Sequence, residues 1–278
     1  MKSFAVLSRP LSMDPRRRIS FLTALAGALL VAFFIAPNAL ARSSVNTANV
    51  GDSFRHGFAA YWASGSEDFP ALLGTTVNYW FRFHLVKAGV SALLLAVTVA
   101  LGVVLWRHGR QRTGRRYGRL PLTWADFLVG VLGIFALVAL MANLQGAAAP
   151  FASLLPMLTT GGADGELTRS LAQARQQLAV YPDGQHSPAL SVMISDFAVY
   201  HAVFAVMAAV LALAMAGVTV MLWRQRKNSP ERRSGRATKF GVTASAVLTA
   251  AALVVAVANT TSAADSPRAL AGFFAGGW

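Results

Sequence analysis

Cysteine is missing from the chain altogether. That excludes a disulfide-stapled outer domain, thiol redox chemistry and any metal or iron–sulfur centre held by thiolates. Charge is scarce too: 13% of the residues are Asp, Glu, Lys or Arg, and only 11 of the 278 are acidic. The apolar stretches hold no pair of carboxylates, the usual mark of a proton- or ion-coupled transporter. HExxH, GxSxG and the phosphate-cradling GxxxxGKS/T are also lacking, which removes the commonest signatures of a zinc protease, a serine hydrolase and a P-loop nucleotidase.

What the chain has in excess is apolar surface, 55% of its residues. These residues gather in five nearly charge-free runs, Ile19–Ala36, His84–Trp106, Trp124–Asn143, Phe197–Trp223 and Phe240–Ala258. Each approaches or exceeds the ~20 residues a helix needs to cross ~30 Å of hydrocarbon. A single pass of backbone satisfies its own hydrogen bonds in lipid only as a helix. The fold class read from the sequence is therefore all-α, a polytopic membrane protein with five transmembrane helices.

The net charge of +14 raises the question of nucleic acid, and the distribution of that charge answers it. Eighteen of the 25 basic residues lie before Ile19, between Trp106 and the third run, or between Trp223 and the fifth. The remaining segments carry seven basic residues, offset by eight acidic ones. This alternation is the positive-inside pattern, and all five spans agree with it. It puts the N-terminus in the cytoplasm and the C-terminus outside. The partner of the basic loops is then the anionic headgroups of the lipid bilayer rather than nucleic acid. Arg far outnumbers Lys and Ala and Gly abound, a composition read as bacterial, with the cell (plasma) membrane as the location.

The first span has a second reading. Arg16–Arg18, an apolar run and then Ala39-Leu40-Ala41 also fit a secretory signal with a small-residue cleavage site. The 18-residue run is longer than a usual signal core, and the retained span is preferred.

An internal repeat supports retention. At a fixed offset of 117 residues, Phe83-His84 matches Tyr200-His201, and Leu105-Trp106-Arg107 matches Leu222-Trp223-Arg224. Arg115-Arg116-Tyr117-Gly118-Arg119 then matches Arg232-Arg233-Ser234-Gly235-Arg236. The outward spans repeat more faintly, with Ala142-Asn143 recurring as Ala258-Asn259 and Phe21-Leu22 as Phe127-Leu128. The organisation expected is a basic cytoplasmic N-terminus (1–18), a first repeat (19–119), a second parallel repeat (120–239), and a fifth span with an outer amphipathic tail (240–278).

The outer segments are too long for simple turns. Residues 42–82 hold Phe54, Phe58, Tyr61, Trp62, Phe69, Tyr79, Trp80 and Phe81, read as an interfacial aromatic belt or as the wall of an apolar ligand site. Glu166–Tyr181 puts Leu167, Leu171, Ala174 and Leu178 on one helical face, closed by the turn Pro182-Asp183-Gly184. That helix is expected to lie over the membrane mouth. Ser266-Pro267 opens a short tail helix whose Leu270, Phe273, Phe274 and Trp278 suit the outer leaflet.

Ionisable groups in spans are rare and carry hypotheses. His84 and His201 sit at equivalent outer ends and are the candidate cofactor-binding pair, as axial ligands of haem b or as a quinone or proton site. The plainer reading is that each bonds water or backbone at headgroup level. Arg82, Lys87 and Asp196 form a candidate polar cluster, with Lys87 able to pair with Asp196 or to snorkel. Asp196 also reads as a helix-start residue, and Thr123-Trp124-Ala125-Asp126 as a capping box. His56 and His186 are the other outer histidines, with no spacing that argues a metal site. Asn143 and Asn259 read as polar helix ends.

The leading function is a non-enzymatic accessory, scaffold or ligand-sensing protein acting on the extracytoplasmic side, with a membrane protein as partner. The alternatives are a redox subunit using His84 and His201, and a small permease or lipid-handling protein with its site between the repeats.

Overall fold

The computed structural model describes residues 14–112, 124–160, 165–228 and 236–276, and all regular structure among them is helical. Five helices are long and apolar enough to cross a membrane: α1 (Pro15–Leu40), α3 (Ala71–Arg112), α4 (Trp124–Ala148), α7 (Pro188–Lys227) and α8 (Arg236–Ala264). The short helices are α2 (Val50–Ser64), α5 (Pro150–Leu154), α6 (Gly165–Ala179) and α9 (Ser266–Phe274), with a 3₁₀ turn at Leu155–Leu158. The protein is an all-α polytopic membrane protein.

The spans overrun their apolar cores. Helices α3 and α7 have 42 and 40 residues. At 1.5 Å per residue each is about 60 Å long, some twice the hydrocarbon thickness. Their first turns bury Leu73, Thr76 and Tyr79 on α3, and Ala189, Leu190 and Met193 on α7. Helix α7 starts at Pro188 behind an N-cap, Ser187, whose hydroxyl accepts from the Leu190 amide at 3.3 Å. Pro37 lies inside α1, which runs on to Leu40.

The chain packs as two units. One holds Met1–Ala36 and Lys87–Leu140. Its small core is Ala26, Leu94 and Ala136, residues whose size lets helices approach closely. Phe33 packs edge-on against Phe135 at 5.4 Å, and the Lys87 ammonium stands 4.4 Å above the Phe33 ring.

The other unit holds Pro37–Val86 and Met141–Trp278. Helices α7 and α8 form its antiparallel hairpin, tied near the loop end by the Thr219 hydroxyl donating to Ser245 Oγ at 2.9 Å. The short helices and the first turns of α3 and α7 build a cap around one apolar core. On α2, Phe54, Phe58, Tyr61 and Trp62 recur at helical spacing and all lie at 6% exposure or less. Phe151 of α5 sits among them, 6.0 Å from Phe54, 6.1 Å from Tyr61 and 5.0 Å from Phe69. Gly57 lets α2 lie directly on α3, since a Cβ there would be 3.1 Å from the Leu73 backbone.

Two sequence expectations are corrected here. The aromatic residues of the first outer segment form neither a lipid-facing belt nor an open ligand wall, because most of them point into the cap's own core. Of the eight, only Phe81 is classed as exposed. In the tail, Leu270, Phe273 and Phe274 are buried in that same core rather than offered to a leaflet, while Trp278 lies outside the described residues. Helix α6 forms where its pattern put it and buries Leu167, Leu171, Ala174 and Leu178 against the cap.

Polar ties lock the cap. Trp62 Nε1 donates to Gln173 Oε1 at 2.9 Å, joining α2 to α6. Trp80 Nε1 donates to Ser153 Oγ at 2.8 Å, joining α3 to α5. The Arg55 guanidinium donates to the carbonyls of Met157 and Thr160 and pairs with Asp52, so α2 holds the exit of the 3₁₀ turn. Arg175 Nε does the same for the Phe274 carbonyl at the end of α9.

Candidate functional site

Where the cap meets the spans, two histidines make the same bond. Nδ1 of His84 on α3 donates to Oδ1 of Asn143 on α4 at 2.9 Å. Nδ1 of His201 on α7 donates to Oδ1 of Asn259 on α8 at 2.8 Å. An amide oxygen only accepts, so Nδ1 is the donor in both pairs. Each bond ties a descending helix to the ascending helix that follows it, across 59 and 58 residues of chain.

The aromatic surroundings recur as well. Trp80 and Phe83 stand edge-on to His84, at 4.7 and 5.8 Å between centroids. Phe197 and Tyr200 stand edge-on to His201, at 4.5 and 5.5 Å. In both cases the aromatics lie four residues and one residue before the histidine, where the helix brings the i−4 side chain onto the same face.

The two places differ in what closes them. At the first, a Cβ on Gly146 would fall 2.8 Å from His84 Nε2 and Cδ2, so the face of the imidazole rests on the α4 backbone. Three residues beyond Asn259 the chain has Ser262 instead. Asn143 is 6% exposed, whereas Asn259 is half-buried and its Nδ2 donates to the Val255 carbonyl at 2.9 Å. Next to Asn143, Gln145 donates from Nε2 to the Tyr200 carbonyl at 3.2 Å, so the end of α4 is bonded to both α3 and α7.

The two rings are bonded to different helices, His84 to α4 and His201 to α8.

Arg82 is exposed on α3, and Lys87 stands over Phe33. Asp196 lies inside α7, not at its start, and its Oδ2 accepts from the Ala152 amide at 2.7 Å. That carboxylate caps α5 from another helix, satisfying an amide the first turn leaves open. Asp126 lies in the first turn of α4, while Thr123, the other half of its capping box, is outside the described residues. His56 Nδ1 donates to the Asp52 carbonyl and His186 Nδ1 to the Gly184 carbonyl, each within its own segment. Among the described residues no three of His, Asp and Glu gather where they could hold a metal ion.

The sequence had marked His84, His201, Asn143 and Asn259, but not their pairing. Gln145, Gly146, Phe151, Ser153 and Gln173 carried no signal, since each acts through a partner distant in sequence. The chain matches no protein-family model, no curated protein and no solved structure.

Proposed function

We propose that this is a non-enzymatic multi-pass protein of a bacterial cell membrane, an accessory or scaffold component that holds a preformed cap on the extracytoplasmic side. The observation that carries the reading is where the polar side chains are used. His84 and His201 each fasten one span to the next, Asp196 caps α5, and Arg55 and Arg175 close helix ends. The groups with chemical potential act as fasteners, and the cap's aromatic residues fill its own interior. The placement of the basic residues supports a cytoplasmic N-terminus. The recurrence of the histidine–asparagine bond, between α3 and α4 and between α7 and α8, supports the parallel repeat of residues 19–119 in 120–239.

Two measurements test this. The first is the visible spectrum of the detergent-purified protein, oxidised and then reduced with dithionite, expected to be featureless. A Soret band that shifts on reduction and vanishes in His201→Ala would overturn the reading in favour of a redox subunit. The second uses the absence of native cysteine, so that single-cysteine variants report one place each. Asp68→Cys in the cap should react with a membrane-impermeant maleimide in intact cells, and Asn228→Cys only after permeabilisation. The reverse pattern would invert the topology.

A further inference from the structure

The end of the α7–α8 hairpin away from the cap gathers two exposed aromatic residues and a set of cations. Trp223 is 47% exposed near the end of α7, and Phe240 is 77% exposed near the start of α8. The two helices are in register here, because a Cβ on Gly241 would touch Leu222 at 3.6 Å. Trp223 and Phe240 therefore sit at one level of one hairpin. The Lys227 ammonium stands 4.0 Å above the Trp223 ring, and Arg224 and Lys239 are exposed beside these aromatics in sequence. From 224 to 239 the chain has seven basic residues against one acidic.

We propose that this loop end of the α7–α8 hairpin is a binding site for the headgroup of an anionic phospholipid. Complementing the α7 helix dipole would account for basic residues in its last turn, but it calls for no large exposed aromatics beside them. An indole suits the headgroup level of a bilayer, with its apolar ring toward the acyl chains and its N–H toward water. A lysine stacked on that ring keeps ammonium donors directed away from the aromatic face, where a phosphate would accept them. Lys239 and Arg224 add positive charge from both helices, and a lipid phosphate brings the negative charge they lack. The inference rests on the membrane class and not on which side is cytoplasmic, so an inverted topology would leave it standing.

The test uses the full chain in nanodiscs of phosphatidylcholine containing dibrominated phosphatidylglycerol, or dibrominated phosphatidylcholine as reference. Bromine on the acyl chain quenches a tryptophan that its lipid contacts. Brominated phosphatidylglycerol should quench more strongly than the reference, and the excess should fall in Trp223→Phe. Neutralising Arg224, Lys227 and Lys239 to Gln should weaken the preference about fivefold for each charge removed, the equivalent of ~1 kcal/mol per basic residue at an anionic surface. Equal quenching by the two lipids would overturn the proposal. So would an excess that is undiminished in Trp223→Phe, which would put the lipid elsewhere, or one displaced by short RNA as readily as by unbrominated phosphatidylglycerol, which would mark a general anion site. If the neutralised variant does not fold, the conservative Trp223→Phe decides alone.

Discussion

The imidazole of His84 lies against Gly146 so closely that a methyl group on that glycine would stand 2.8 Å from Nε2. The contact is held from the other side, where His84 Nδ1 donates to Asn143 one turn earlier on α4. Ring, amide and bare backbone make one joint between α3 and α4. The hairpin of α7 and α8 has the histidine and the asparagine but has Ser262 in place of the glycine.

Gly146→Ala should therefore destabilise the protein by about 1–3 kcal/mol, the usual cost of forcing extra volume into a packed place. Thermal unfolding in detergent, followed by circular dichroism, measures it. The His84→Ala background should remove most of the effect, since the methyl then has room. An equal loss in both backgrounds would mean that the glycine serves the helix and not the histidine.

Replacing the asparagines by leucine removes one bond from each hairpin. Interhelical hydrogen bonds in membranes are worth roughly 0.6 kcal/mol on average and up to about 1.7. Asn143→Leu should cost more than Asn259→Leu, because Asn143 is 6% exposed whereas Asn259 is half-buried. The ranking can be read from midpoints of unfolding in mixed detergent.

Phe151→Ala empties the centre of the cap's aromatic cluster and should cost about 3–5 kcal/mol. The loss should appear as protease cleavage within the cap, while helical content in the spans changes little. Asp196→Ala should loosen the same region by roughly 1 kcal/mol through the lost cap on α5, and Asp196→Asn by less, because its amide oxygen still accepts from Ala152.

The cap also has a pH limit at the alkaline end. The Tyr61 hydroxyl is pushed up from 10.0 to about 12, first by burial and then by the nearby Glu67 and Asp68. The folded state disfavours the tyrosinate, so the unfolded chain loses this proton first as pH rises. The contribution to stability is complete below pH 10 and is lost as pH climbs through about 12. Tyr61→Phe should flatten that decline. The difference between the ultraviolet titrations of the native protein and Tyr61→Phe should show Tyr61 ionising later in the folded state than in the denatured one.

The membrane class, the number of spans and the helix at residues 165–179 were all legible in the amino-acid sequence. Each of these is a local property. A run of apolar residues is selected by the lipid around it, and the buried face of α6 shows in the spacing of Leu167, Leu171, Ala174 and Leu178 without reference to any partner. The first outer segment was read wrongly because a headgroup belt and a protein core select the same residues, Phe, Tyr and Trp. Only the placement of Phe151 and α6 against α2 decided that these rings face inward. Asp196 looked like the start of a helix because the apolar run begins just after it, yet α7 begins at Pro188 inside the cap. The pairing of His84 with Asn143 and of His201 with Asn259 was likewise a decision of the tertiary structure. Each bond exists only once a hairpin of nearly 60 residues has closed, and no short-range pattern records which side chains that closure brings face to face.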